Sequence, residues 1–240
     1  MITVWSEQLR VSAHDTDIND NVRPSAMLRY MQEAAVLEFH NTKPSIEQMR
    51  RENHKTYLLS RLSMRIYRPL GAYEYITAQS WACPSRHSTF IRCGQVLHGN
   101  ELVAQLHSTW ALVDLDTRSL LLVEDNPVLF GTAPVLDMPT RLRIPRQVPF
   151  SEAARRTVTY HDCDVNCHMN NTRYADMLCD YLDMHGHAVS SLMINYNHEA
   201  ALGETVTVLR GQDEDGTWYF RTQKENGENG IEAAVTLCDL

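Results

Sequence analysis

Apolar side chains recur along this chain at two different spacings, and the spacing switches in the same order twice. From Pro24 to Phe39, the residues Met27, Tyr30, Met31, Ala34 and Ala35 fall on one side of a helix, and from Thr172 to Met184 the same holds for Tyr174, Met177, Leu178 and Tyr181. Pro24 suits a first helical turn, and Asn170 or Asn171 suits an N-cap. After each helical run the period falls to two. It predicts strands over Tyr57–Tyr67, Tyr73–Ala82, Ser88–Leu97 and Glu101–Val113, then over Leu192–Tyr196, Thr205–Leu209, Thr217–Thr222 and Ile231–Cys238. Gly99-Asn100 and Asp215-Gly216 supply hairpin turns. Short strands are also expected ahead of each helix, around Gln8–Ala13 and Thr157–Tyr160.

The two series are copies of one unit. Shifting the chain by 147 residues lays His14-Asp-Thr-Asp-Ile-Asn-Asp-Asn21 over His161-Asp-Cys-Asp-Val-Asn-Cys-His168, with four of eight positions identical. The pattern predicts an α+β protein in which each half packs one helix against the concave face of a curved antiparallel sheet: a tandem, or double, hotdog. Five of the nine prolines lie between Glu124 and Phe150. They divide the chain into an N-terminal unit over 1–125, a Pro-rich linker over 126–150 and a C-terminal unit over 151–240.

Composition narrows the function. Residues 1–145 carry 15 basic and 15 acidic side chains and residues 146–240 carry 7 and 15, so the whole net charge of -8 lies in the C-terminal half. Without a positive field, nucleic acid is excluded as the expected partner. No apolar run reaches the roughly 18 residues of a membrane span, and the first residues lack a signal-peptide pattern. Six scattered cysteines suit free thiols in a reducing compartment, so a cytoplasmic setting is expected, and a start almost at the first strand with no transit peptide visible makes a bacterial one the expectation.

The copies differ where chemistry is most readily carried: the eighth octet position is Asn21 in one and His168 in the other. The His168 loop runs into a helix, whose first amides favour developing negative charge. Asp-x-Asn clusters also build plain turns, and the first copy keeps Asp17 and Asn19 without a histidine, so Asp164 and Asn166 are open to a structural or a catalytic reading. Cys163 and Cys167 beside His168 do not follow a zinc spacing, and neither a metal nor a cofactor is expected.

The segment Asp164-Val-Asn-Cys-His-Met-Asn-Asn-Thr-Arg-Tyr174 resembles the Asp-Val-Asn-Gln-His-Val-Asn-Asn-Val-Lys-Tyr signature of the acyl-[acyl-carrier-protein] thioesterases, agreeing at seven of eleven positions. Leu28–Ala35, Leu59–Met64 and Ser108–Val113 also fall where that family has similar stretches, and Asn195-Tyr-Asn-His-Glu-Ala200 resembles its Glu-Tyr-Arg-Arg-Glu-Cys. The resemblance implies hydrolysis of fatty acyl thioesters on acyl carrier protein by Asp164, Asn166, His168 and Glu199. Ala200, where the family often has cysteine, leaves a water-based or glutamate-based reaction. It also suggests an acyl tunnel lined by Met27, Met31, Ala34, Ala35 and Met64, for which ordinary core packing is the alternative. Carrier docking by Arg141, Arg143, Arg146, Arg155 and Arg156, or by Arg50, Arg51 and Lys55, competes with a merely solvated face. A coenzyme A thioesterase, a non-catalytic acyl-binding protein and a homodimer stay open.

Overall fold

The computed structural model describes residues 4–125 and 131–240; the expected start of the linker at 126–130, with Pro127, lies outside the described residues. Ten strands form one antiparallel sheet: β1 (Trp5–Arg10), β2 (Lys55–Ile66), β3 (Tyr75–Ala82), β4 (Thr89–His98), β5 (Glu101–Asp114), β6 (Ser151–Thr157), β7 (His187–Tyr196), β8 (Thr205–Gln212), β9 (Trp218–Lys224) and β10 (Asn229–Asp239). Their order is β1-β3-β4-β5-β2-β7-β10-β9-β8-β6. Outward from the middle, the halves match strand for strand, β2 with β7, β5 with β10, β4 with β9, β3 with β8 and β1 with β6. The tandem repeat is therefore realised as a single sheet, because Arg61–Arg65 of β2 pair with Ser191–Asn195 of β7 and leave no free edge between halves.

Both predicted hairpins are present, with Gly99 at φ +60° and Gly216 at φ +84° taking backbone conformations that side chains disfavour. The strand expected over Thr157–Tyr160 is instead β6, which ends at Thr157, and Tyr160–Asp162 forms a 3-10 turn. β6 escaped the alternation rule because it is an edge strand, and Glu152, Arg155 and Arg156 keep it polar.

Among the described residues three α-helices lie on the sheet: α1 (Pro24–His40), α2 (Ile46–Arg51) and α3 (Arg173–Cys179). α1 buries Met27, Leu28, Met31 and Ala34, and it approaches β4 so closely that a Cβ at Gly94 would stand 3.4 Å from Met31 Cβ and 2.9 Å from the Gln79 carbonyl. α2, too short for periodicity to reveal, begins with a capping box between Ser45 and Gln48. α3 stops well before Met184, and the reason lies in the other half. The Asn19 amide donates to the carbonyls of Met184 and His187 and accepts from Gly186 N–H, drawing that segment out of helix.

The first helix is capped by the second half as well. Asp176 of α3 accepts from the Ser25 hydroxyl at 2.6 Å and from the Ser25 N–H at 3.2 Å, at a site where Ser25 is fully buried. One core cluster runs under both helices, joining Met27 and Met31 to Met177, Leu192, Ile194 and Phe220. The described part of the linker crosses the opposite sheet face, where Ala133 packs with Trp81, Cys83 and Cys93, and Trp81 Nε1 donates to the Pro134 carbonyl. No helix among the described residues is long and apolar enough to cross a membrane.

Replacing Asp176 by alanine strips the cap from a buried hydroxyl and a buried amide. The expected loss is about 1–3 kcal/mol in chemical denaturation; an unchanged midpoint would show that the interhelical cap contributes nothing.

Candidate active site

The octets noticed in the sequence fold identically. In each, an aspartate carboxylate accepts from the N–H two residues on, Asn19 N to Asp17 Oδ1 and Asn166 N to Asp164 Oδ1, both at 2.8 Å. In each, the seventh residue takes a left-handed conformation, Asp20 at φ 60° and Cys167 at φ 61°. A bridge then closes the loop, Thr16 to Val22 and Cys163 to Met169. Asp17 and Asp164 are thus turn-formers in both copies, as the structural reading of the sequence allowed.

The copies part company at two places. The Asn19 side chain is consumed in holding the 184–187 segment, whereas the Asn166 side chain is exposed and makes no hydrogen bond among the described residues. The second difference is the eighth position together with a facing loop. Val22 N–H donates to the Leu70 carbonyl and Met169 N–H to the Ala200 carbonyl, each at 2.8 Å, and in both halves a glutamate four residues further on, Glu74 or Glu204, closes the facing loop through a backbone N–H. Equivalence of Leu70 with Ala200 sets Pro69 opposite Asn21 where the second half sets Glu199 opposite His168.

His168 and Glu199 meet. His168 Nε2 lies 3.3 Å from Glu199 Oε2, with the imidazole mostly buried and the carboxylate more than half exposed. The approach is fixed by backbone: His168 bridges Ala201, Leu202 N–H donates to the Cys167 carbonyl, and Asn197 and His198 N–H groups both donate to the Gly230 carbonyl. Asp164 touches neither His168 nor Glu199 with its side chain. It orders their surroundings through Asn166 N–H and through Asn170, whose Nδ2 donates to Asp164 Oδ2 at 3.2 Å.

Asn170, weighed in the sequence only as a cap, changes one expectation. Its Oδ1 accepts from Thr172 N–H and hydroxyl, and its carbonyl accepts from Arg173 N–H, so the N-cap amide and the first amide of α3 are already engaged. Those two amides are not free donors for a developing oxyanion, whereas the Asn166 side-chain amide makes no hydrogen bond among the described residues. Beneath the loop, Tyr174 and Tyr196 stack edge to face at 5.7 Å, and Tyr196 donates to the Asn171 carbonyl. Burial raises both phenols, so they stay neutral and act as a support. Among the described residues no three His, Cys, Asp or Glu side chains converge as a metal site would require.

Of the residues expected to line a tunnel, Met27, Met31, Ala34 and Met64 lie in the core with at most 1% exposure. Ala35 does border a cavity. This apolar pocket lies between α1 and the sheet and is walled by Phe39, Tyr57, Phe90 and Trp110. A second groove runs beside Asp164, Asn170 and Arg173, and the two share Gln32 and Val36 of α1. The charged segment considered for docking is partly committed: Arg156 binds Asp162 at 2.7 Å and Asp180 at 3.0 Å.

Two family models match, an acyl-ACP thioesterase N-terminal domain over residues 3–128 and an acyl-ACP thioesterase C-terminal domain over 147–237. Among solved structures, an acyl-ACP thioesterase from Bacteroides thetaiotaomicron superposes with a TM-score of 0.81 at 18% identity, covering 98% of both chains. The 12:0-ACP thioesterase of Umbellularia californica gives 0.80 at 16% identity, covering 99% of this chain and 98% of the other. At these identities the likeness is one of fold. Among curated protein sequences, none matches the chain.

The loop rests on a buried charge that can be tested. Asp162 is 2% exposed; burial would raise its carboxyl, but hydrogen bonds from Thr159 N–H and hydroxyl and from Arg156 outweigh this and hold it below its ordinary value. Such a group stabilises the fold above its unfolded pKa of about 3.9, and the contribution is lost as pH falls through the folded value. Arg156→Met should cost about 3 kcal/mol near neutrality. In urea titrations the deficit should shrink at pH 3, and a deficit equal at both pH values would refute the assignment.

Proposed function

This chain belongs to the acyl-ACP thioesterase family and hydrolyses fatty acyl-[acyl-carrier-protein] thioesters, and from that premise we propose that His168 and Glu199 activate the attacking water while Asn166 receives the negative charge on the carbonyl oxygen. The 3.3 Å approach of His168 to Glu199, built only in the second half, carries this reading. The pair draws the proton from water as its oxygen attacks the thioester carbon, a step for which a positioned base supplies about 10²- to 10⁴-fold. The Asn166 side-chain amide, exposed and free of hydrogen-bond partners among the described residues, two residues before His168 in the same turn, donates to the tetrahedral oxyanion. Collapse of the intermediate expels the carrier's thiolate, which takes a proton from the pair. Asp164 and Asn170 are positioning residues that shape the turn.

We read the matching halves as two fused hotdog units, 1–125 and 151–240, joined by the strap over 126–150. The first unit, with Asn21 and Pro69 at the positions of His168 and Glu199, is left to hold the acyl chain. The pocket beside Ala35 supports that division, and six unpaired cysteines support a reducing, cytoplasmic setting.

His168→Ala and Glu199→Gln should each lower kcat on acyl-carrier-protein substrates by about 10²- to 10⁴-fold. Asn166→Ala should lower it by about 10²- to 10³-fold, and matched coenzyme A esters should be turned over more slowly by the wild type. Turnover untouched by His168→Ala would move the chemistry elsewhere. The chain-length profile gives a separate test of the pocket. Ala35→Phe should favour shorter acyl chains without loss of fold, while Ala34→Phe, overfilling the core, should cost about 1–3 kcal/mol of stability. An unchanged profile for Ala35→Phe would remove the pocket from the acyl path.

A further inference from the structure

Among the residues lining the apolar pocket, one side chain, Arg92, is charged. The lining crosses the sheet from Tyr57 on β2 through Trp110 on β5 to Arg92 on β4, two strand spacings or about 10 Å, and reaches Ala82 on β3. The Arg92 guanidinium pairs with Glu38 of α1, donates to the Ser80 hydroxyl at 2.9 Å and lies 4.9 Å from the centre of the Phe39 ring. Only 9% of the Arg92 side chain and 15% of Glu38 remain accessible. Burial pulls the guanidinium pKa down to about 10, so it is still charged at neutral pH.

We propose that the Arg92–Glu38 pair is the specificity-determining stretch of the acyl pocket's wall, a buried charged feature in an otherwise apolar lining that sets the longest chain that binds well. The proposal rests on the reading of this pocket as the acyl site. A methyl terminus pressed against the pair removes its remaining hydration and returns no hydrogen bond, so each further pair of carbons is penalised. An acyl chain whose far end carries a hydroxyl replaces the lost water with a hydrogen bond and escapes part of the penalty. The pair thereby discriminates against long saturated chains through desolvation as well as volume, which distinguishes it from a wall of leucines.

Two measurements test this, both as kcat/KM over saturated acyl-carrier-protein substrates from eight to eighteen carbons. The first uses Glu38→Leu combined with Arg92→Met, which removes both charges at once and avoids leaving either buried alone. Relative to the wild-type optimum, the substrate two carbons longer should gain about 10-fold or more. The second needs no variant and so survives a folding failure: on the wild type, the ω-hydroxylated chain two carbons beyond the optimum should be turned over about 10-fold faster than its unsubstituted counterpart. A double variant with the wild-type optimum, or equal rates for hydroxylated and plain chains, overturns the proposal. Failure of the acyl-site reading looks different, since Ala35→Phe would then leave the wild-type profile unchanged as well.

Discussion

Five residue pairs between β2 and β7 determine what the rest of this molecule can do. Each half alone would expose the long edge of its innermost strand, with unpaired N–H and C=O groups that invite association. Pairing Arg61–Arg65 with Ser191–Asn195 joins the two edges and sets the register between the halves. The loop carrying Glu199 follows directly on β7, the strand held at this seam. A one-residue slip would turn the paired β2 side chains to the opposite face. The Ser25–Asp176 cap adds a second tie between halves, at the helix layer.

Given that frame, the two copies show how one backbone turn is put to different uses. Both loops need an aspartate to accept the N–H two residues on and a residue that tolerates positive φ. Those demands fix Asp17 and Asp164 and say nothing about chemistry. What separates the copies is whether the remaining polar groups are spent inside the fold. Asn19 is bound on both its nitrogen and its oxygen, and the position equivalent to Glu199 is Pro69, which offers no titratable group. Asn166 is unspent, and His168 faces a carboxylate. A group satisfied by its own chain has little left for a substrate, so free hydrogen-bonding capacity separates the two loops better than residue identity does.

The same contrast explains how much was legible in the sequence. The ungapped 147-residue offset exposed the repeat, and the eighth position pointed to His168, because turn geometry is local and leaves its residues in order. Glu199 was reached only through the resemblance, since its partner Pro69 lies at an offset of 130, from 199 minus 69, and is chemically unrelated. β6 was obscured by edge charges and α2 by its brevity. The end of α3 was unreadable because Asn19, far away in sequence, draws Met184 out of helix. Helical periodicity marked the buried face of α1, and Met27, Met31 and Ala34 do occupy it. The pocket instead opens beside that stripe at Gln32, Ala35 and Val36, where helix and sheet diverge. That divergence is a tertiary fact with no periodic signature.

Arg92 and Glu38 present the opposite problem, a feature that local physics argues against. Taking a guanidinium and a carboxylate out of water costs several kcal/mol for each ion, and well-packed hydrophobic replacements are often neutral or stabilising. Stability is thus a weak explanation for a pair this buried in a pocket otherwise walled by Phe39, Tyr57, Phe90 and Trp110. Register does not require it either, since β4 is aligned by its backbone pairing with β3 and β5. What the pair supplies, on the proposal above, is a boundary at which an apolar ligand stops gaining free energy. Hydrophobic walls cannot make so sharp an edge, because neighbouring chain lengths differ there by only one increment of burial per methylene, about 0.8 kcal/mol.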